Sequence, residues 1–105
     1  MTISRYRQSM ATTPALSVIM SVYNGAAHLY PCVQSILQQD FADFEFLILN
    51  DGSIDGSAGI LREMAKADQR ITLIERENRG LVASLNELID AAKAPLLARM
   101  DCDDI

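Results

Sequence analysis

A single histidine, His28, is the scarcest catalytic side chain in the sequence. With no second histidine to choose from, no Ser-His-Asp arrangement can be assembled with a credible spacing. Cysteine is nearly absent too. Cys32 and Cys102 lie far apart and form no CxxC pair, so zinc-ribbon and thioredoxin-like readings fail. Two free thiols in a reducing compartment are expected instead. No GxGxxG follows the first apolar run and no GxxxxGK[ST] occurs anywhere, which removes the dinucleotide fingerprint and the P-loop. No apolar stretch approaches the roughly 18 residues that would span a membrane. Residues 1–14, "MTISRYRQSMATTP", lack the apolar segment of a secretory signal and are expected to form a flexible N-terminal arm. Basic charge is also in short supply. Nine lysines and arginines face fourteen acids, for a net charge of −5. That balance argues against nucleic acid held by phosphate contacts. It suits a smaller, metal-assisted ligand better.

Apolar residues are plentiful. They make up 50% of the 105 positions, enough for the core of one domain, while 22% are charged. Four short runs have strand length: "LSVIMSVY" from Leu16 to Tyr23, "FEFLIL" from Phe44 to Leu49, "ITLIE" from Ile71 to Glu75 and "PLLARM" from Pro95 to Met100. The second is almost continuously apolar, as a strand covered on both faces should be. Between them lie three helical stripes. Leu29, Val33, Ile36 and Leu37 form the first, with Pro31 expected in its opening turn. Ile60, Leu61, Met64 and Ala65 form a weaker second. Leu81, Leu85, Leu88, Ile89 and Ala92 form the third. The order is βαβαβαβ. It predicts an α/β fold: a three-layer, Rossmann-like parallel sheet of about four strands with helices on both faces.

In such a sheet every strand ends at the same rim. The residues after the four runs are therefore brought together: Tyr23, Asn24 and Gly25; Asn50, Asp51, Gly52, Ser53 and Asp55; Asn78, Arg79 and Gly80; Asp101, Asp103 and Asp104. Ligands of open α/β sheets bind there. Carboxylates with a divalent cation can hold a diphosphate, and a separate acid such as Asp51 can accept hydrogen bonds from a base or sugar. Each cluster also has a plainer explanation. The terminal aspartates can be a solvated acidic tail. Asp55 and Ser57 fit turn and helix-cap chemistry. Asn24-Gly25 can be only a turn, Tyr23 can cap the sheet edge, and Arg79 can be a solvated charge. Cys102 is expected to fill a slot between aspartates, and His28 to lie on the surface near the first helix.

Taken in order, "LSVIMSVYNG", "FLILNDGSIDGS", "NRGLVASLNELIDAA" and "ARMDCDD" resemble the successive signatures of family 2 glycosyltransferases with the GT-A fold. The resemblance covers residues 16–104 and implies the nucleotide-sugar-binding part of such an enzyme over residues 15–105, truncated after a DxD-type motif. It implies nucleotide contacts from Val22, Tyr23, Asn24, Asp51, Arg79, Asp101 and Asp103. It also implies a Mn²⁺ or Mg²⁺ ion on the donor diphosphate, held by Asp103 and Asp104. The family often carries two acids where this chain has Asn50-Asp51, so the base contact rests more heavily on Asp51. Members are two to three times longer, and their second half supplies the acceptor site and a catalytic base, so no catalytic residue is expected here. The implied partners are a nucleotide-diphosphate sugar, with UDP as the expected nucleotide, and an unidentified acceptor hydroxyl in polysaccharide or glycoconjugate synthesis. The implied location is cytoplasmic, with the inner membrane face as an alternative for the full-length protein. Without its second half the sheet should expose an edge prone to self-association. Two other readings are alternatives that the residues themselves disfavour. A nucleotidyltransferase would want a Gly-rich basic loop where "YNGAAHLY" stands. A receiver-like module would want a lysine after its last strand.

Overall fold

The computed structural model describes residues 13–40 and 43–101. The expected N-terminal arm therefore lies almost wholly outside the described residues, as do Cys102, Asp103 and Asp104. Strands β1 (Leu16–Val22), β2 (Phe44–Asp51), β3 (Ile71–Arg76) and β4 (Leu96–Arg99) alternate with helices α1 (Ala26–Leu37), α2 (Ser57–Ala67) and α3 (Leu81–Ala91). The strands form one parallel sheet in the order β3-β2-β1-β4.

The pleat sorts the strand residues between two cores. Leu16, Val18, Met20 and Val22 of β1 and Phe44, Phe46 and Ile48 of β2 face one way, onto Leu29, Cys32 and Val33 of α1 and Leu61 and Met64 of α2. Ile19, Leu47 and Leu49 face the other way, onto Leu85 and Leu88 of α3. Both central strands are thus covered on both faces, which explains why "FEFLIL" carries almost no polar residue. The three-layer arrangement matches the sequence expectation.

Three details differ from it. Strand β2 runs on through Asn50 and Asp51, both buried, because each continues the ladder to β3. Pro31 sits inside α1 rather than in its first turn, since the helix already begins at Ala26. The missing N–H leaves the Ala27 carbonyl without its usual partner. Both residues are on the exposed side of the helix, where water can reach that carbonyl. Strand β4, at Leu96–Arg99, is shorter than its apolar run from Pro95 to Met100, and as the outer strand of the sheet it leaves Leu96 and Leu97 45% and 46% exposed.

Candidate functional site

The chain winds outward from β1 to β2 to β3, then returns across the sheet to β4 on the other side of β1. The strand order therefore reverses between the C-terminal ends of β1 and β4, and that crevice is where open α/β sheets hold ligands. Val22, buried, closes β1 there. Tyr23 follows, about half exposed at the rim. Across the crevice β4 leads through Met100, whose N–H still bonds the Ile19 carbonyl, to Asp101. The Asp101 carboxylate is exposed and accepts a hydrogen bond of 3.2 Å from Nε of Arg99.

The next loops are stitched to each other. Asn24 adopts a left-handed backbone, φ 55°, which asparagine tolerates. Its N–H donates to Oγ of Ser53 at 2.9 Å, and its Oδ1 accepts from the N–H of Ile54 at 2.9 Å. Oγ of Ser57 accepts from the N–H of Gly25, and Oδ2 of Asp55 accepts from the N–H of Ala26. Oδ1 of Asp55 accepts from the N–H of Ser57. These bonds hold the Asp55 carboxyl below its ordinary range, the contacts with Ser57 contributing most. Asp55 and Ser57 are therefore structural clips between the β1–α1 and β2–α2 loops. Asn24 serves as a third, whatever else it touches.

Among the described residues, Asp51 is the most enclosed acid of the rim, with its side chain only 4% exposed. The parallel register sets Asp51 directly beside Arg76 on β3. Oδ1 accepts from Nη1 of Arg76 at 2.6 Å and from the N–H of Arg79 at 2.8 Å. Oδ2 accepts from the N–H of Gly80 at 3.0 Å and from Nδ2 of Asn78 at 3.3 Å. Four donors fill the acceptor capacity of a carboxylate. Burial alone would push this acid up, but the N–H groups of Arg79 and Gly80 and the Arg76 guanidinium outweigh it and hold Asp51 below the usual range. Asp51, expected from the sequence to face a ligand, is thus fully engaged by its own chain. The Arg79 side chain turns to the surface and pairs with Glu77.

Sequence reasoning missed Arg76. A strand-terminal arginine reads as a solvated charge, and only the register shows that it lies opposite an acid. His28 is on the exposed side of α1, and Cys32 is buried against Met20. Among the described residues no three His, Cys, Asp or Glu side chains gather as a metal site. Of the acidic motif after β4, only Asp101 is described.

The family model of glycosyl transferase family 2 matches residues 17–105, nearly the whole described sheet and its rim. The chain belongs to glycosyl transferase family 2. Among curated family relatives, EpsH of Bacillus subtilis (strain 168), whose name places it with the glycosyltransferases, is 41% identical over 92 residues, covering 88% of this chain and 27% of its own. Glycosyltransferase GlyA of Streptococcus pneumoniae serotype 4 is 36% identical over 95 residues, covering 90% of this chain and 14% of its own. Among solved structures, the mannosyltransferase PcManGT of Pyrobaculum calidifontis, in complex with GDP-Man and Mn²⁺, superposes with a TM-score of 0.79 at 27% identity, covering 87% of this chain and 28% of its own. The sheet described above is accordingly that of the GT-A glycosyltransferases. The chain spans about a quarter or less of the length of these family 2 relatives.

Proposed function

We propose that this chain is the donor-binding part of a family 2 glycosyltransferase, which moves a sugar from a nucleotide diphosphate to an acceptor hydroxyl in polysaccharide or glycoconjugate synthesis. The observation that carries the reading is the placement of the β1–α1, β2–α2 and β3–α3 loops along one rim, leading to the switch point between β1 and β4. In this reading Val22, Tyr23 and Asn24 line the nucleoside. Asp51 meets the base by exchanging its longest internal contact, the 3.3 Å bond from Asn78, for a base N–H. Arg79 swings from Glu77 toward the nucleotide, and Asp101 and Asp103 meet the ribose. A similar structure at 27% identity holds GDP-Man, so uracil and guanine both need testing as the base.

The same similar structure holds Mn²⁺. The motif at the end of β4 offers three carboxylates, hard oxygen donors that fit Mn²⁺ or Mg²⁺, beside the single thiol of Cys102, and Asp101 stands at the switch point where the motif begins. Asp103 and Asp104 would hold the ion, which offsets the charge on the leaving diphosphate. The catalytic base is assigned outside these residues. The cytoplasmic location belongs to the same proposal and rests on the family resemblance.

The test is calorimetric titration of UDP and of GDP, each with and without Mn²⁺, into the chain and into Asp104→Ala. Mn²⁺ should tighten binding of one nucleotide about tenfold or more, a loss of roughly 1.5–3 kcal/mol when a charge-assisted contact is removed. Asp104→Ala should lose that gain. Equal affinity with and without the metal for both nucleotides overturns the reading.

A further inference from the structure

Arg76 ends β3 at the rim, where a long cation would ordinarily reach into water. It is instead folded back under the β3–α3 loop, with its side chain 8% exposed. Nη1 donates to Oδ1 of Asp51 at 2.6 Å and to the carbonyl of Glu77 at 3.0 Å. Nη2 donates to Oγ of Ser84 at 2.9 Å, and Nε to Oε1 of Glu87 at 2.7 Å. Ser84 is itself fully buried and donates to the carbonyl of Gly80 at 2.9 Å. The guanidinium thus touches the end of β2, the first turns of α3 and the loop between β3 and α3. On its other side the Asp51 carboxylate holds the N–H groups of Arg79 and Gly80.

Beyond these bonds the loop is fixed by Asn78, whose Nδ2 donates to the Asp51 carbonyl at 3.0 Å and whose backbone packs against Gly52. The loop residues Glu77, Asn78 and Arg79 are exposed, and Gly80 takes φ 93°, which glycine visits freely. We infer that Arg76 is a positioning residue: acting through the Asp51 carboxylate, it fixes residues 77–80 at the rim where the nucleotide is proposed to bind. The inference deepens the donor-binding reading and rests on it for the nucleotide. A lysine could supply the charge at one point only. The flat fork of arginine reaches Asp51, Ser84 and Glu87 together.

Amide hydrogen exchange on the chain, read by NMR, tests the positioning without any ligand. In Arg76→Met the Arg79 and Gly80 amides should exchange about tenfold faster or more, while the amides of Val18, Leu47 and Ile48 in the central strands stay within about twofold. The acceleration should grow as the pH falls from neutral toward 5. The groups facing Asp51 are Arg76, Asn78 and the two loop amides, and without the guanidinium the acid titrates higher. The wild type should show no such trend. Glu87→Gln removes the charge of one of the two α3 partners but leaves Asp51 paired, and should keep both loop amides protected. Unchanged exchange at Arg79 and Gly80 in Arg76→Met overturns the inference, and so does acceleration of all amides together. Should Arg76→Met not fold, Arg76→Lys decides, with selective loss at the same two amides expected. UDP or GDP with Mn²⁺, whichever the wild type binds, should bind Arg76→Met about tenfold more weakly. Failure of the wild type to bind either nucleotide would count against the donor-binding reading, while the exchange result still decides the role of Arg76.

Discussion

At Gly52 the backbone takes φ 75°, and a Cβ built there would lie 2.5 Å from the backbone nitrogen of Asn78. Two loops from different strands approach so closely that no side chain fits, and the left-handed backbone adds its own penalty for any other residue. Gly52→Ala should therefore cost roughly 1–3 kcal/mol, read as a lower urea midpoint with an unchanged slope. The loop amides held by Asp51 should loosen with it, since Asn78 must move. The sequence makes Gly52 legible as a turn glycine, because "NDGS" is turn chemistry. It does not show that the demand comes from Asn78 in another loop. Asp51 is a similar case. Its place after an apolar run marks it as a rim residue. That four donors from its own chain surround it depends on the register with β3 and on the path of the β3–α3 loop, neither of which is written in local pattern. Arg76 was invisible for the same reason; of the Asp55 and Ser57 contacts only the local turn bond from the Ser57 N–H to Asp55 was readable, while their bonds to Ala26 and Gly25 depend on how two loops meet.

The elements themselves were legible because each has a period that burial enforces: apolar runs of strand length and stripes of helical spacing. Their limits were less so, since β2 is extended by its neighbour rather than by its composition. At the end of the sheet away from the rim, a small polar network fixes how α3 joins β4. Ser17, fully buried, donates to Oε2 of Glu45 at 2.5 Å and accepts from the N–H of Ala94 at 3.1 Å. The same Oε2 accepts from the N–H of Lys93 at 2.7 Å. One hydroxyl and one carboxylate thus hold two amides of the connection, of which the partly buried Ala94 N–H would otherwise be left unpaired. Ser17→Ala strands the Ala94 N–H and should destabilise the chain by about 1–3 kcal/mol. Because the network lies at the opposite end of β1 from Tyr23 and Asn24, nucleotide affinity measured well below the melting temperature should not change. Loss of affinity at full folding would mean that the two ends of the sheet are coupled. A serine at the second position of an apolar strand gives no hint of this task, for its partners come from β2 and from the connection before β4.

The whole sheet has two edges, and they are built differently. On β3 the exposed residues are charged or polar: Thr72 is exposed and Glu75 pairs with Arg62 from α2 in a two-pronged contact at 2.8 and 3.0 Å, and just before the strand Arg70 is held by Asp68 at 2.7 Å. Charges along an edge discourage pairing with another sheet. On β4 only Arg99 plays that part. Leu96 and Leu97 lie about half exposed, and Ile89 of α3 is 47% exposed. Beside β4, on the α1 side, an open groove of about 270 Å³ is lined by Leu16, Val18, Ile36, Phe44 and Met100. In a relative three to four times longer, more chain is available to cover this side. In the chain alone, a second copy can do so, and a two-fold axis beside β4 would place like edge against like edge. We expect reversible self-association through β4 whose strength rises with salt as charge repulsion is screened, the net charge being −5. Leu97→Lys puts a charge on the α3 side of the edge strand, opposite Ser17 in the register, without entering the main core between the sheet and α1. Sedimentation velocity over a wide range of concentrations should show wild-type chain shifting to a faster-moving species and Leu97→Lys remaining monomeric, with the same far-ultraviolet circular dichroism for both. A wild-type chain that stays monomeric at the highest concentration would remove β4 as an association edge. Association that survives Leu97→Lys unchanged would move the contact elsewhere.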